Sequence, residues 1–384
     1  MQFEFATATR IVFGSGQAAE LPAIAAGLGR RVMLATGSRP ERHAGLAAAL
    51  VAQGLAVTPF AVSGEPTTDV AEHGVRLARD ARCDMVIGIG GGSVLDVGKV
   101  IAAMLSNGGA LFDYLEVIGR AQPLACPAVP YIAVPTTAGT GAEVTRNAVL
   151  GSPAHGVKVS MRSPHMLPRL ALIDPELMRS MPPALTASSG LDALTHVIEP
   201  FLCKQPNPLT DALCRDAIVR AARALPAAYR DGDDLAARED MAVVGLFGGL
   251  ALANAKLGAV HGFAGPLGGM IDAPHGLLCA RLLPVVLDTN LAALRARAPD
   301  SPVLARFGEL ARLVSGDATA EADACVAWAH ALCRELQVPA LSSFGLAPAR
   351  IPEAVAKARQ ASSMKGNPIV LDDDELTRLL ERAC

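Results

Sequence analysis

Charge of one sign is missing from this sequence. Its 34 basic and 37 acidic residues nearly cancel, leaving a net charge of −3. Neither nucleic acid nor an anionic membrane surface is therefore indicated as a partner. Aromatic residues are scarce, with a single Trp and three Tyr. The apolar half of the composition rests on Ala, Leu and Val, which suits helices and a buried parallel sheet. No uninterrupted apolar run reaches the roughly 20 residues of a membrane span. The N-terminal Met-Gln-Phe-Glu-Phe lacks the basic-then-apolar order of a signal peptide. Eight cysteines are scattered at 83, 126, 203, 214, 279, 325, 333 and 384. No two have Cys-x-x-Cys spacing, so neither a zinc ribbon nor a redox pair is indicated. They read as reduced thiols of a cytoplasmic protein. Fixed-period repeats and low-complexity segments are also missing.

What is present suggests two domains. A length of 384 residues fits about two domains at ~100–200 residues each, with a sizeable core. Residues 10–16 read as a short strand ending in a glycine turn. Residues 31–37, 56–61, 84–90, 131–135 and 170–174 read as further strands, with helices over 44–53 and 69–81. Alternation of strand and helix predicts a Rossmann-like, doubly wound α/β domain over residues 1–180. From Leu185 onward, Ala/Leu/Arg-rich helical patterns predominate, predicting an all-α domain over 181–384. Two prolines in Met181-Pro-Pro183 mark the boundary.

Four stretches carry chemistry. Thr186 to Pro200 reads as a helix with Asp192 and His196 four residues apart, hence on one face. That pair can hold a divalent cation. Ser189-x-x-Asp192 also has capping-box spacing, so Asp192 fits a helix start equally well, and His196 an ordinary buried histidine. Gly258 to Gly276 carries His261 and His275, with Pro274 and His275 in the first turn of a helix capped by Asp272. A helix N-terminus favours the neutral imidazole that a metal needs. Asp192, His196, His261 and His275 thus form a candidate set for Fe²⁺ or Zn²⁺ with a position open for substrate. Gly90-Gly-Gly-Ser-Val-Leu-Asp-Val-Gly-Lys99 follows a buried strand and opens a helix, the arrangement of a phosphate site, although a tight strand-to-helix turn has the same pattern. Val134 to Val144 is a second small-residue loop after a strand, with hydroxyls at Thr136, Thr137 and Thr140 and glycines at 139 and 141. Loops at the ends of neighbouring parallel strands flank one crevice.

With these residues in view, the chain resembles the iron-containing (group III) alcohol dehydrogenases nearly end to end. The resemblance rests on Gly90 to Lys99, Pro135 to Thr145, Leu191-Asp-Ala-Leu-Thr-His-Val-Ile-Glu199, Val260-His-Gly262, Ala273-Pro-His-Gly276 and Asn367-Pro368. It implies an N-terminal dinucleotide-binding α/β domain, an all-helical C-terminal domain (a dehydroquinate synthase-like architecture) and an active site in the cleft between them. It also implies metal-ligand roles for Asp192, His196, His261 and His275. By the same resemblance Gly90, Gly91, Gly92, Ser93, Asp96, Thr136, Thr137 and Thr140 would hold the nicotinamide cofactor. Lys158 matches a family lysine that reaches it, with a solvated surface lysine as the other reading.

Two positions depart from the family pattern. Many members carry a histidine four residues after the third ligand, where this chain has Gly265. A histidine proton relay is then missing, and the substrate pocket is roomier there. Several members carry an acid after the second strand that bonds an NAD ribose. Here Gly37 removes its repulsion, and Ser38 and Arg39 suit a 2′-phosphate. NADPH is therefore favoured over NADH, with Arg39 as a plain surface residue the other reading. The expected activity is hydride transfer between NAD(P)(H) and a small alcohol, aldehyde or ketone by a homodimer, the metal polarising the substrate oxygen. A maleylacetate reductase-like reaction on the same scaffold, a dehydroquinate synthase-like lyase and a non-catalytic cofactor-binding relative are the alternatives.

Overall fold

The computed structural model describes residues 2–384. They divide into an α/β unit, Ala6–Thr137 with Gly141–Met178, and a helical unit, Arg179–Cys384 with Ala138–Thr140 and the segment ending at Phe5. Among the described residues the strands are β1 (Ile11–Phe13), β2 (Arg31–Thr36), β3 (Ala56–Ala61), β4 (Met85–Gly90), β5 (Tyr131–Pro135), β6 (Asn147–Ser152), β7 (Val157–Arg162) and β8 (Leu170–Ile173). Six form one sheet in the order β1-β8-β5-β4-β2-β3, every pairing parallel. β4, β5 and β8 are buried at every residue, as strands covered on both faces must be. Pro59 sits in β3, at the sheet edge, where a missing N–H costs no ladder bond.

Alternate residues of these strands feed two separate cores. Val32, Leu34, Ile87, Ile89, Ile132 and Val134 face α1 (Leu21–Ala26) and α2 (Ala44–Ala52). Met33, Ala35, Val86 and Ala133 face α3 (Thr68–Asp80) and α4 (Gly92–Ser106). This is the period-two pattern of a strand sandwiched between helices. β2 leads into α2 on one face, while its neighbour β4 leads into α4 on the other. Their carboxyl ends diverge there, which makes a crevice at the topological switch point. Gly88 allows close packing: a Cβ on it would lie 2.5 Å from the Tyr131 hydroxyl. That hydroxyl donates to the Leu95 carbonyl at 2.9 Å.

The sequence patterns place six strands and miss the antiparallel β6–β7 hairpin. Its signal was there: Ala148, Leu150, Val159 and Met161 alternate inward, and Gly156 turns the chain at φ 62°. A buried polar cluster fastens the hairpin to α4. The Lys99 ammonium, fully buried, donates to the Asn147 carbonyl at 2.6 Å and to Thr145 Oγ1 at 3.0 Å. Asp96 accepts from the Val149 amide at 2.9 Å. Glu143 is buried beside them, and burial pushes its carboxyl up to about 7 against the opposing pull of a backbone hydrogen bond and Lys99.

The helical unit runs α5 (Pro183–Leu202), α6 (Pro208–Arg230), α7 (Leu235–Asn254), α8 (Ala259–Met270), α9 (His275–Arg297), α10 (Pro302–Ser315), α11 (Asp323–Glu335), α12 (Ile351–Gln360) and α13 (Asp373–Ala383). Side chains cap α6 (Asn207), α7 (Asp234), α10 (Ser301) and α13 (Asp372). α5 is buried from Thr186 to Leu202 except at Ser189 and packs against α6, α7 and α9. α9 has the length and apolarity of a membrane-crossing helix, yet 78 % of that window is buried inside the protein. Its composition is that of a core helix.

The raised pKa of Glu143 has a testable sign. The folded protein holds this proton above the ordinary value of 4.5, so the stability associated with it is present below pH 4.5 and lost as pH rises towards about 7. Relative to Glu143→Gln, the wild type should lose on the order of 3 kcal/mol across that interval. Parallel pH profiles of unfolding free energy for the two proteins would refute this placement of Glu143.

Candidate metal and cofactor site

Helix α5 supplies Asp192 and His196, one turn apart; α8 supplies His261 and α9 supplies His275. Three imidazoles converge on a single carboxylate oxygen. Asp192 Oδ1 lies 3.6 Å from His261 Nε2, 3.9 Å from His275 Nε2 and 4.0 Å from His196 Nε2. The rings of His196 and His261 stack at 4.5 Å. Asp192, His196 and His261 are buried, whereas the His275 side chain is 37 % exposed, so the cluster opens to solvent on its side. Both capping expectations are corrected. α5 begins at Pro183, which places Ser189 and Asp192 in mid-helix, and the Ser189 hydroxyl donates to the Leu185 carbonyl instead. α9 begins at His275 with Pro274 as N-cap and no side-chain cap from Asp272.

Asp192 Oδ1 and His196 Nδ1 are buried with no hydrogen-bond partner. A bare carboxylate oxygen costs too much to bury unless a cation faces it. Burial opposes the Asp192 charge, but His196, His261 and His275 outweigh it and hold the carboxyl below the usual range. Burial lowers His196 to about 4 against the attraction of Asp192, leaving it neutral at pH 7. The donor set and its orphaned oxygen fit a divalent metal.

In the α/β unit, the loops proposed for the cofactor abut. The Thr136 amide donates to the Gly90 carbonyl at 2.9 Å, and a Cβ on Gly91 would touch Thr137. Gly91 is the N-cap of α4 and supplies no side-chain cap, so the first-turn amides around Gly92 and Ser93 have no side-chain acceptor there. Thr140 groups with the helical unit. Gly37 has open space where a Cβ would be, and Ser38 and Arg39 are exposed. Asp96 lies deeper, engaged by Val149 and 3.7 Å from the Lys99 ammonium. Lys158 lies on β7, its ammonium 2.9 Å from Glu65. Gly265 stands one turn after His261 on α8, exposed, with open space at its Cβ position.

Residues 8–175 match the family described as iron-containing alcohol dehydrogenase, and residues 186–384 match the C-terminal region of the Fe-containing alcohol dehydrogenase family. The chain belongs to the iron-containing alcohol dehydrogenases. It is 35 % identical to a 1,3-propanediol dehydrogenase of Klebsiella pneumoniae over 84 % of this chain and 81 % of the relative. Among solved structures, a 1,3-propanediol oxidoreductase superposes with a TM-score of 0.92 at 32 % identity, covering 100 % of both chains. A sulfoacetaldehyde reductase from Bifidobacterium kashiwanohense in complex with NAD⁺ superposes with a TM-score of 0.87 at 29 % identity, covering 99 % of this chain and 98 % of that one.

Two residues of this dehydrogenase's site escaped the sequence patterns. Glu199, on α5, accepts from the Val260 amide at 2.7 Å, and its other oxygen lies 2.7 Å from His261 Nδ1. It therefore orients the ring that offers Nε2 to the site. Its signal was its spacing, seven residues after Asp192 and hence on the same helical face. Asn367 braces the same region, accepting from the Ala259 amide and exchanging hydrogen bonds with Asn290. The second escaped residue is Cys279, one turn after His275, whose sulfur lies 3.6 Å from His275 Nε2 and 3.7 Å from His261 Nε2.

Glu199→Ala strands the Val260 amide and His261 Nδ1. It should cost roughly 2–6 kcal/mol of unfolding free energy, at ~1–3 kcal/mol per stranded buried group. Glu199→Gln keeps an acceptor for the amide and should cost less. Denaturant midpoints measure both, and unchanged midpoints would contradict the bonding described.

Proposed function

We propose that this chain is a metal- and NAD(P)(H)-dependent alcohol dehydrogenase or aldehyde reductase acting on a small alcohol, aldehyde or ketone, with Asp192, His196, His261 and His275 holding Fe²⁺ or Zn²⁺. The observation that carries it is the convergence of three imidazole nitrogens on the partnerless Asp192 Oδ1. When bound, the metal supplies Lewis-acid polarisation of a substrate oxygen and the nicotinamide exchanges a hydride. Asp192 contributes a permanent negative charge, because the surrounding imidazoles keep it ionised. His196 contributes a neutral donor at pH 7. Glu199 holds His261 in one orientation. His275, the exposed member, stands where substrate would enter. Gly265 has no side chain to move a proton, so that part would fall to water and the ribose of a bound cofactor.

The cofactor loops are Gly90 to Ser93 and Thr136, Thr137 and Thr140, with Asp96 and Lys158 as further cofactor-side groups. Gly37, Ser38 and Arg39 favour NADPH, since no acid there repels a 2′-phosphate. A homodimer follows the family resemblance, and eight free thiols suit a cytoplasmic setting. A maleylacetate reductase-like reaction is disfavoured by the intact Asp192.

A panel of short aldehydes, ketones and alcohols, run with NADPH and NADH on protein of measured metal content, tests the activity. Turnover is expected, and its absence across the panel in metal-loaded protein would favour a non-catalytic cofactor-binding relative. Asp192→Ala or His275→Ala should abolish bound metal, and unchanged metal content would sink the ligand assignment. Arg39→Ala should raise the KM for NADPH about tenfold, the worth of one charge-assisted hydrogen bond, and leave that for NADH unchanged. Equal effects on both cofactors would remove Arg39 from the phosphate site.

A further inference from the structure

We propose that Cys279 is a sulfur donor to the same metal ion, a role that rests on the metal reading above. Asp192, His261, His275 and Cys279 each offer one donor atom, and all four atoms lie within 4.8 Å of one another. With His196 that makes five donors, and sulfur and nitrogen donors at about 2.3 and 2.1 Å from a five-coordinate ion stand about 3.1–3.8 Å apart. Cys279 Sγ stands 3.6 and 3.7 Å from the two imidazole nitrogens. Position on the helix explains the convergence: His275 and Cys279 are one turn apart on α9 and share a face. A buried thiol beside imidazoles can also be a bystander that donates a weak S–H bond. The independent sign of a ligand is the buried Asp192 Oδ1, which has no hydrogen-bond partner and belongs to the same four-atom cluster. Among the other buried cysteines, Cys325 and Cys333 donate to backbone carbonyls. On binding, the Cys279 thiol gives its proton to solvent and its sulfur takes a place on the ion. A thiolate makes the set softer than one carboxylate and three imidazoles, and so favours Zn²⁺ over the harder divalent ions.

Cobalt substitution tests this on the full chain. Protein stripped with a chelator is reloaded anaerobically with a stoichiometric amount of Co²⁺, and its absorption spectrum and metal content are recorded. Wild-type protein should show an intense sulfur-to-cobalt charge-transfer band in the near ultraviolet. Cys279→Ser should bind cobalt without that band, and its Zn²⁺ affinity should fall roughly 10-fold or more. Cys279→Ala, checked by circular dichroism, serves if the serine variant does not fold. The wild-type spectrum is decisive without either variant. Bound cobalt with only weak ligand-field bands overturns the Cys279 role and leaves the metal site standing, and so does a band that survives in Cys279→Ser. A wild-type protein that binds no cobalt overturns the metal reading and this role together.

Discussion

The helical unit is built around the burial of one charge. Asp192 sits in the middle of α5, away from water, with one oxygen that no hydrogen bond satisfies. Removing a carboxylate from water costs several kcal/mol unless opposite charge or strong dipoles replace the solvent. Three imidazoles from three helices surround that oxygen at 3.6–4.0 Å without satisfying it, and they can reach it only if the helices come close. Glycine makes that approach possible. A Cβ on Gly248 of α7 would lie 3.1 Å from His196, and one on Gly276 of α9 would collide with Ser188. The small residues between the histidines are therefore part of the same device as the histidines.

Support for the site continues outward from the donors. Glu199 fixes His261, and Asn367 fixes the start of α8 while locking to Asn290 of α9. These buried contacts hold two ligand-bearing helices in register by hydrogen bonds that only a few side chains could make. In the α/β unit the corresponding device is the switch point between β2 and β4, where neighbouring strands send their helices to opposite faces. Lys99 and Asp96 anchor the β6–β7 hairpin to α4 from beneath.

Much of this was readable from residue patterns, for identifiable reasons. Parallel strands buried on both faces leave apolar runs, and β2, β4, β5 and β8 carry that mark. The hairpin was harder, because its strands are half-polar and the alternation is short. Ser189 and Asp272 do not cap: α5 starts six residues before Ser189, and α9 starts at His275 without a side-chain cap. The spacing of Cys279 to other cysteines carries no signal. The residue's meaning comes from its spacing to His275.

By itself the sequence determined the six strands of the parallel sheet, the change from an α/β to a helical texture near residue 180, and the pairing of Asp192 with His196 on one helix face. All of these are local properties, set by periodicity and by residues within a turn of one another. The tertiary structure decided that Asp192 Oδ1 is the meeting point of His196, His261 and His275, that Glu199 orients His261, and that the Cys279 sulfur joins the cluster. The contacts of Asp192 with His261 and His275, and of Glu199 with His261, link residues 62 to 83 positions apart in the chain, and long-range neighbours are set by helix packing, which no single stretch encodes.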